Sequence, residues 1–230
     1  MRQLEFFFDY ASPWSYMAFT RIQALAADTA AQLAWRPLNM ALLFAKANPG
    51  VAAMRATPVP AKVTHYYKDM KDWAKRLGIV IGRPPVYGGA SKQLDSRLAL
   101  RGALLALDRD LLPAYSLALY RAYWHDLRDL ADPAALQELA VKAGLAHAAV
   151  AAALADPELD RRIAATVDDL VARGGFGVPT FFVNRQDMYF GNDRLDFVRE
   201  ALLAEPPGRP SGGVGAPSAA IATSPAMPRS

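Results

Sequence analysis

The sequence predicts an α/β protein in which a long helical block interrupts a sheet-forming chain. Three observations predict it. The chain opens strand–helix–strand within its first 40 residues, the order of a parallel βαβ unit. Residues 41–172 then carry helical periodicity without strand chemistry. Strand chemistry returns only near residue 178, and a final helix follows it.

The elements are justified in chain order. Residues 4–8 are an apolar run of strand length, and a polar turn follows at 9–12. Pro13 stands where a first helical residue belongs, because a helix start does not need its N–H. From Trp14 onward, Tyr16, Phe19, Ile22 and Leu25 recur every three residues, with Ala18 and Ala26 on the same side. Residues 33–36 form the second strand and Pro37 ends it. Residues 40–44 are apolar, and 45–50 (Ala-Lys-Ala-Asn-Pro-Gly) have the composition of a loop.

Residues 62–77 predict a helix with Tyr66, Met70, Trp73 and Leu77 on one side and Gly78 as its stop. A Pro/Gly-rich connector spans 82–89. Helices are expected over 94–107, 115–124, 133–143, 146–154 and 157–172. A strand over 178–183 pairs, across a turn at 184–187, with Tyr189-Phe190. The last helix covers 193–203, with Leu195, Val198, Ala201 and Leu202 inward. Beyond 205 the composition turns to Pro, Gly, Ser and Ala, which predicts a disordered tail over 205–230.

Composition excludes several classes of function. The 230 residues are 53% hydrophobic, enough for a sizeable core. There is no cysteine, so disulfides, thiolate metal sites, cysteine nucleophiles and dithiol exchange are all ruled out, and no metal is expected. The net charge of +4 comes from scattered basic and acidic residues, a poor match to nucleic acid. No apolar run approaches the roughly 20 residues of a membrane span. Met1-Arg2-Gln3 leads straight into the first strand, so a cytoplasmic location is expected rather than export.

Ser12 sits at a strand-to-helix turn, near orphan backbone donors and the positive end of a helix dipole. A hydroxyl there can simply cap the helix, or it can stabilise a bound anion. Serine as its own nucleophile would need a base, and His65, His125 and His147 all fall in the helical block. Ser15, one turn in, is read as structural. Trp73, Tyr120, Tyr123 and Trp124 are read as packing, and His125-Asp126 as a helix-end surface pair.

Three stretches carry a resemblance. Phe8-Asp9-Tyr10-Ala11-Ser12-Pro13-Trp14-Ser15-Tyr16, Gly177-Val178-Pro179-Thr180 and Gly191-Asn192-Asp193-Arg194-Leu195 resemble the signatures of 2-hydroxychromene-2-carboxylate isomerases. These are relatives of kappa-class glutathione transferases with a DsbA-like thioredoxin fold. The resemblance spans residues 2–204. It implies a thioredoxin-like domain split between 1–40 and 173–204, with 41–172 as an inserted all-helical domain. Ser12-Pro13-Trp14-Ser15 then lies where redox relatives carry Cys-x-x-Cys, with hydroxyls in place of both thiols.

The resemblance further implies glutathione as cofactor, an aromatic ketoacid as substrate and a homodimer. Ser12 would stabilise the glutathione thiolate, with Pro13 and Trp14 beside it. A cis Val178-Pro179 would pair the peptide part of the ligand as an added strand. Asn192 and Asp193 would meet the γ-glutamyl carboxylate, and Asn48 or Lys62 the glycyl end. Arg83 and Tyr87 border the expected place of the second substrate. A kappa-type transferase or peroxidase would use the same glutathione half, and a non-catalytic thioredoxin-like module would also lack cysteines.

Overall fold

The structure, a computed structural model, describes residues 1–51, 54, 57–82 and 95–204. Arg83, Tyr87, most of the 82–89 connector and the 205–230 tail lie outside the described residues. The protein is built on a four-stranded sheet in the order β2-β1-β3-β4, from β1 (Gln3–Phe8), β2 (Gln32–Pro37), β3 (Thr180–Val183) and β4 (Asp187–Phe190). β1 and β2 are parallel, with Phe6 opposite Trp35. β1 and β3 are antiparallel, with Phe6 opposite Phe181, and β3 and β4 are antiparallel, with Phe181 opposite Tyr189. The first and last segments of the chain thus meet in one sheet.

Nine α-helices are seen among the described residues: α1 (Pro13–Asp28), α2 (Met40–Ala47), α3 (Pro60–Leu77), α4 (Arg97–Leu107), α5 (Leu112–Trp124), α6 (Pro133–Lys142), α7 (His147–Ala155), α8 (Glu158–Ala172) and α9 (Leu195–Leu203). A short 3₁₀ turn, Asn192–Arg194, leads into α9. The period of two in β1 decides what covers each face. Leu4, Phe6 and Phe8 join the core formed with α1, α9 and the helices α4–α7. Phe7 faces the other side, among Leu38, Met40 and Leu43 from α2 and its approach, Val167 and Leu170 of α8, and Phe182. Phe6 stacks on Phe181 with ring centroids 5.4 Å apart. Each buried phenylalanine here contributes on the order of 1.5–3 kcal/mol.

Several boundaries differ from those the sequence predicts: α3 begins at Pro60 rather than 62 and α4 at Arg97 rather than 94, and four others have a specific cause. Residues 45–47 are helical rather than loop, because α2 is capped from two sides. The Asn39 side chain accepts from Leu42 N at 2.9 Å, and the Asp9 carboxylate accepts from Met40 N at 2.7 Å. The helix runs until Asn48, which precedes Pro49 and is therefore kept out of helical geometry. β3 begins at Thr180, since Pro179 cannot donate to a ladder. α5 begins three residues earlier than expected, with Pro113 in its first turn. The last helix opens as the 3₁₀ turn and becomes α-helical at Leu195.

Candidate functional site

The turn after β1 is held from beneath by a buried carboxylate. Asp9 is 1% exposed. One of its oxygens accepts from Ala11 N at 3.0 Å; the other accepts from Met40 N at 2.7 Å and from the Ser96 hydroxyl at 3.0 Å. Burial dominates these bonds and pushes the carboxyl up to about 6. Trp124 Nε1 donates to the carbonyl of Tyr10 at 2.9 Å. The segment 9–12 is thereby fixed to the starts of α2 and α4 and to the end of α5.

Ser12 is the N-cap of α1. Its Oγ accepts from Ser15 N at 3.1 Å, and the residue is 2% exposed. That bond uses a lone pair and leaves the hydroxyl proton to donate elsewhere. Pro13 is buried at N1 of the helix, and Trp14 is half-buried. Ser15 is wholly buried, and its hydroxyl has no hydrogen-bond partner among the described residues.

α3 lies against α1 through Met17, Met70 and Ala74, with Trp14, Tyr66 and Trp73 packed around them. Trp14 and Tyr66 meet edge to face, centroids 5.6 Å apart. Lys62 is exposed in the first turn of α3. It precedes Tyr66 by four residues, so it shares the helix face that meets Trp14.

On the sheet side, Val178-Pro179 is a cis peptide. Val178 is 6% exposed, and its N–H and C=O make no backbone hydrogen bond among the described residues. At Gly177 a Cβ would come within 2.6 Å of the Phe190 ring, so a larger residue would displace that ring. Phe190 packs on Phe176 in a tilted arrangement, centroids 4.7 Å apart, and both are partly exposed. Asn48, the C-cap of α2, lies next to this loop, its amide 3.5 Å from the carbonyl of Phe176.

Asn192 and Asp193 start the 3₁₀ turn after β4, and the two differ in surroundings. Asn192 is 4% exposed and is gripped by Arg21 of α1, whose Nη2 donates to its backbone carbonyl at 2.6 Å and to Oδ1 at 2.9 Å. Asp193 is more open and pairs with Arg194 at 2.8 Å. The preceding Gly191 has φ +111°, a conformation that side chains resist.

Among the predicted residues, Trp14 meets Tyr66 on the face of α3 that also carries Lys62, and Asn48 lies at the Phe176 loop that leads to Val178-Pro179. Asn192 is tied to α1 through Arg21. Three participants escaped the sequence reading: Asp9, Ser96 and Arg21. An acid placed directly after the Phe6-Phe7-Phe8 run and before the turn is the one local signal that marked Asp9. His125 and Asp126 are exposed and hydrogen-bonded to each other at 2.6 Å. With Tyr16, Ile79 and Arg121 they line a cleft of about 370 Å³, one turn along α1 from Ser12.

A family model of the DSBA-like thioredoxin domain matches residues 3–203, and the chain belongs to that family. A 2-hydroxychromene-2-carboxylate isomerase from Sphingobium xenophagum is 28% identical over 203 residues, covering 88% of this chain and 98% of the relative. A solved 2-hydroxychromene-2-carboxylate isomerase superposes with TM-score 0.70 at 25% identity, over 87% of this chain and 94% of the other. The cytosolic disulfide reductase DsbM of Pseudomonas aeruginosa, solved with GSH, gives 0.62 at 23% identity, over 87% and 96%. The isomerases are the relatives toward which the three motifs pointed, and the DsbM likeness shows the shared fold. No described helix is long and apolar enough to cross a membrane.

Proposed function

We propose that the chain is a glutathione-dependent isomerase that interconverts 2-hydroxychromene-2-carboxylate and trans-o-hydroxybenzylidenepyruvate, a step of naphthalene-type aromatic catabolism. The observation that carries this reading is the hydroxyl proton of Ser12, uncommitted among the described residues, at the start of a 16-residue helix. The donor set suits a peptidic thiol. Val178 offers an N–H and C=O that make no backbone hydrogen bond among the described residues, for strand-like pairing. Asn48, Lys62 and Asn192 supply donors for the two carboxylate ends, where Asp193, itself a carboxylate, would contribute its backbone N–H. The isomerase relatives, at modest identity, support the choice of reaction.

When bound, glutathione would supply a thiol that adds reversibly to the conjugated ketoacid and leaves after the former double bond has rotated. The protein's part is electrostatic. Ser12 donates its proton toward sulfur, and the N-terminal amides of α1 add positive potential. A thiol of ordinary pKa near 8.5 is mostly protonated at pH 7, and each unit of lowering needs about 1.4 kcal/mol. A hydrogen bond to a charged group is worth about that much or more. Trp14 and Tyr66 wall the turn with aromatic surface. Glutathione as cofactor, a homodimeric assembly and a cytoplasmic location belong to this proposal and rest on the resemblance.

The test is turnover of 2-hydroxychromene-2-carboxylate with and without glutathione, in the wild type and in Ser12→Ala. Dependence on glutathione and a loss of roughly 10²-fold or more in the variant are expected, the scale of one preorganised donor. Glutathione binding without turnover would assign the site to another electrophile, as in a kappa-type transferase. Neither binding nor turnover would leave Ser12 as a helix cap.

A further inference from the structure

We propose that Arg21 is a positioning residue for the carboxylate end of the ligand, acting through Asn192; this rests on the glutathione reading above. A guanidinium has only donors, so the oxygen of the Asn192 amide must face it. The paired bonds from Nη2 to the backbone carbonyl and to Oδ1, 2.6 and 2.9 Å, fix that orientation. The amide nitrogen is then turned away from Arg21. It makes no hydrogen bond to the described residues and, in a residue only 4% exposed, is left open to solvent. A donor held in one orientation, open to solvent and unpaired among the described residues, is available to an acceptor that arrives with a ligand.

The surroundings of Arg21 add charge and rigidity. Its Nε donates back to the carbonyl of Met17 at 3.3 Å, and the guanidinium lies 5.2 Å from the centroid of Trp73. Asp193, Asp196 and Arg76 are the charged groups that act on it, and burial lowers its pKa from the ordinary arginine value. Asp193 and Asp196 offset part of that charge, so the contribution of Arg21 is to hold the Asn192 amide in place.

The spacing fits one ligand. Because Arg21 reaches back to Met17, its head lies about 7–8 Å along α1 from Ser12 at the helical rise. That is about the span of two extended residues, the separation of a cysteinyl sulfur from the far end of a γ-glutamyl group.

The experiment compares wild type, Arg21→Met and Arg21→Lys with two thiols, glutathione and cysteinylglycine, which lacks the γ-glutamyl unit. Methionine keeps apolar contact with Trp73 and removes the charge, both hydrogen bonds to Asn192 and the one to Met17. Arg21→Met is expected to raise KM for glutathione about 10- to 100-fold, with kcat at saturation and the pKa of the bound thiol within about threefold and a few tenths of a unit of wild type. Cysteinylglycine kinetics should be unchanged, and Arg21→Lys should recover part of the glutathione loss. Equal losses with both thiols would show a merely structural role and overturn the proposal, as would no loss with either. If Arg21→Met fails to fold, Arg21→Lys alone decides, by whether its loss is confined to glutathione. A wild type that binds cysteinylglycine as tightly as glutathione would overturn this inference while sparing the thiol site; one that binds neither would remove both.

Discussion

Asp9 carries a carboxyl group to a place that water does not reach, and its three donors do not fully offset the cost of ionising there. Its pKa rises from the ordinary 3.8 to about 6. Between those values the unfolded chain has released the proton while the folded chain keeps it, so the folded state loses ground as pH rises. The contribution is whole below about pH 4 and is lost above about pH 6, on the order of 3 kcal/mol in all. Denaturant unfolding of wild type and Asp9→Asn between pH 4 and 7 checks this. The stability difference should shift in favour of the variant by about that amount as pH rises, on top of a pH-independent cost of about 1–3 kcal/mol for the donor that an amide cannot satisfy. A constant difference would contradict it. The chain showed Ser12 through Pro13 and the helical period behind it. It did not show Asp9 bonding to Met40 and Ser96, or Arg21 to Asn192, because those partners lie 31, 87 and 171 residues away.

At the scale of elements, local rules served wherever local chemistry decides. Gly78 ends α3 in the left-handed conformation that its position in the pattern predicts, φ 64°. The start of α1 at Pro13 and the burial of Leu195, Val198 and Leu202 follow in the same way. The extent of α2 did not, because the Asp9 carboxylate that helps to cap it comes from another element. The contact between α4 and α5 shows tertiary packing opposing propensity. A Cβ on Gly102 would lie 2.1 Å from the hydroxyl of Tyr115, a buried side chain that donates to the Ala99 carbonyl at 3.0 Å. Gly102→Ala gains up to about 1 kcal/mol of helix propensity, yet we expect it to be destabilising overall by about 1–3 kcal/mol through overpacking. Thermal unfolding of the variant decides; a raised Tm would contradict the packing account.

Over the whole molecule, one core runs from the sheet into the helical block. Phe8, Tyr10, Tyr16 and Phe19 from the first segment pack with Tyr115, Tyr120 and Trp124 from α5, and Trp124 also holds the Tyr10 carbonyl. The block thus sets the shape of the turn that presents Ser12. Trp124→Phe keeps most of the ring packing and leaves that carbonyl without the indole donor. It is expected to cost about 1–3 kcal/mol and to raise KM for glutathione, read by unfolding and by kinetics on the same variant.

The central claim is that the Ser12 turn stabilises a thiolate. The direct measurement is the ultraviolet absorbance of the thiolate of bound glutathione against pH, in wild type and in Ser12→Ala. The thiol should ionise at least about one unit below its ordinary value on the wild type, and Ser12→Ala should return most of that shift. Bound glutathione that titrates like the free thiol in both proteins would contradict the account.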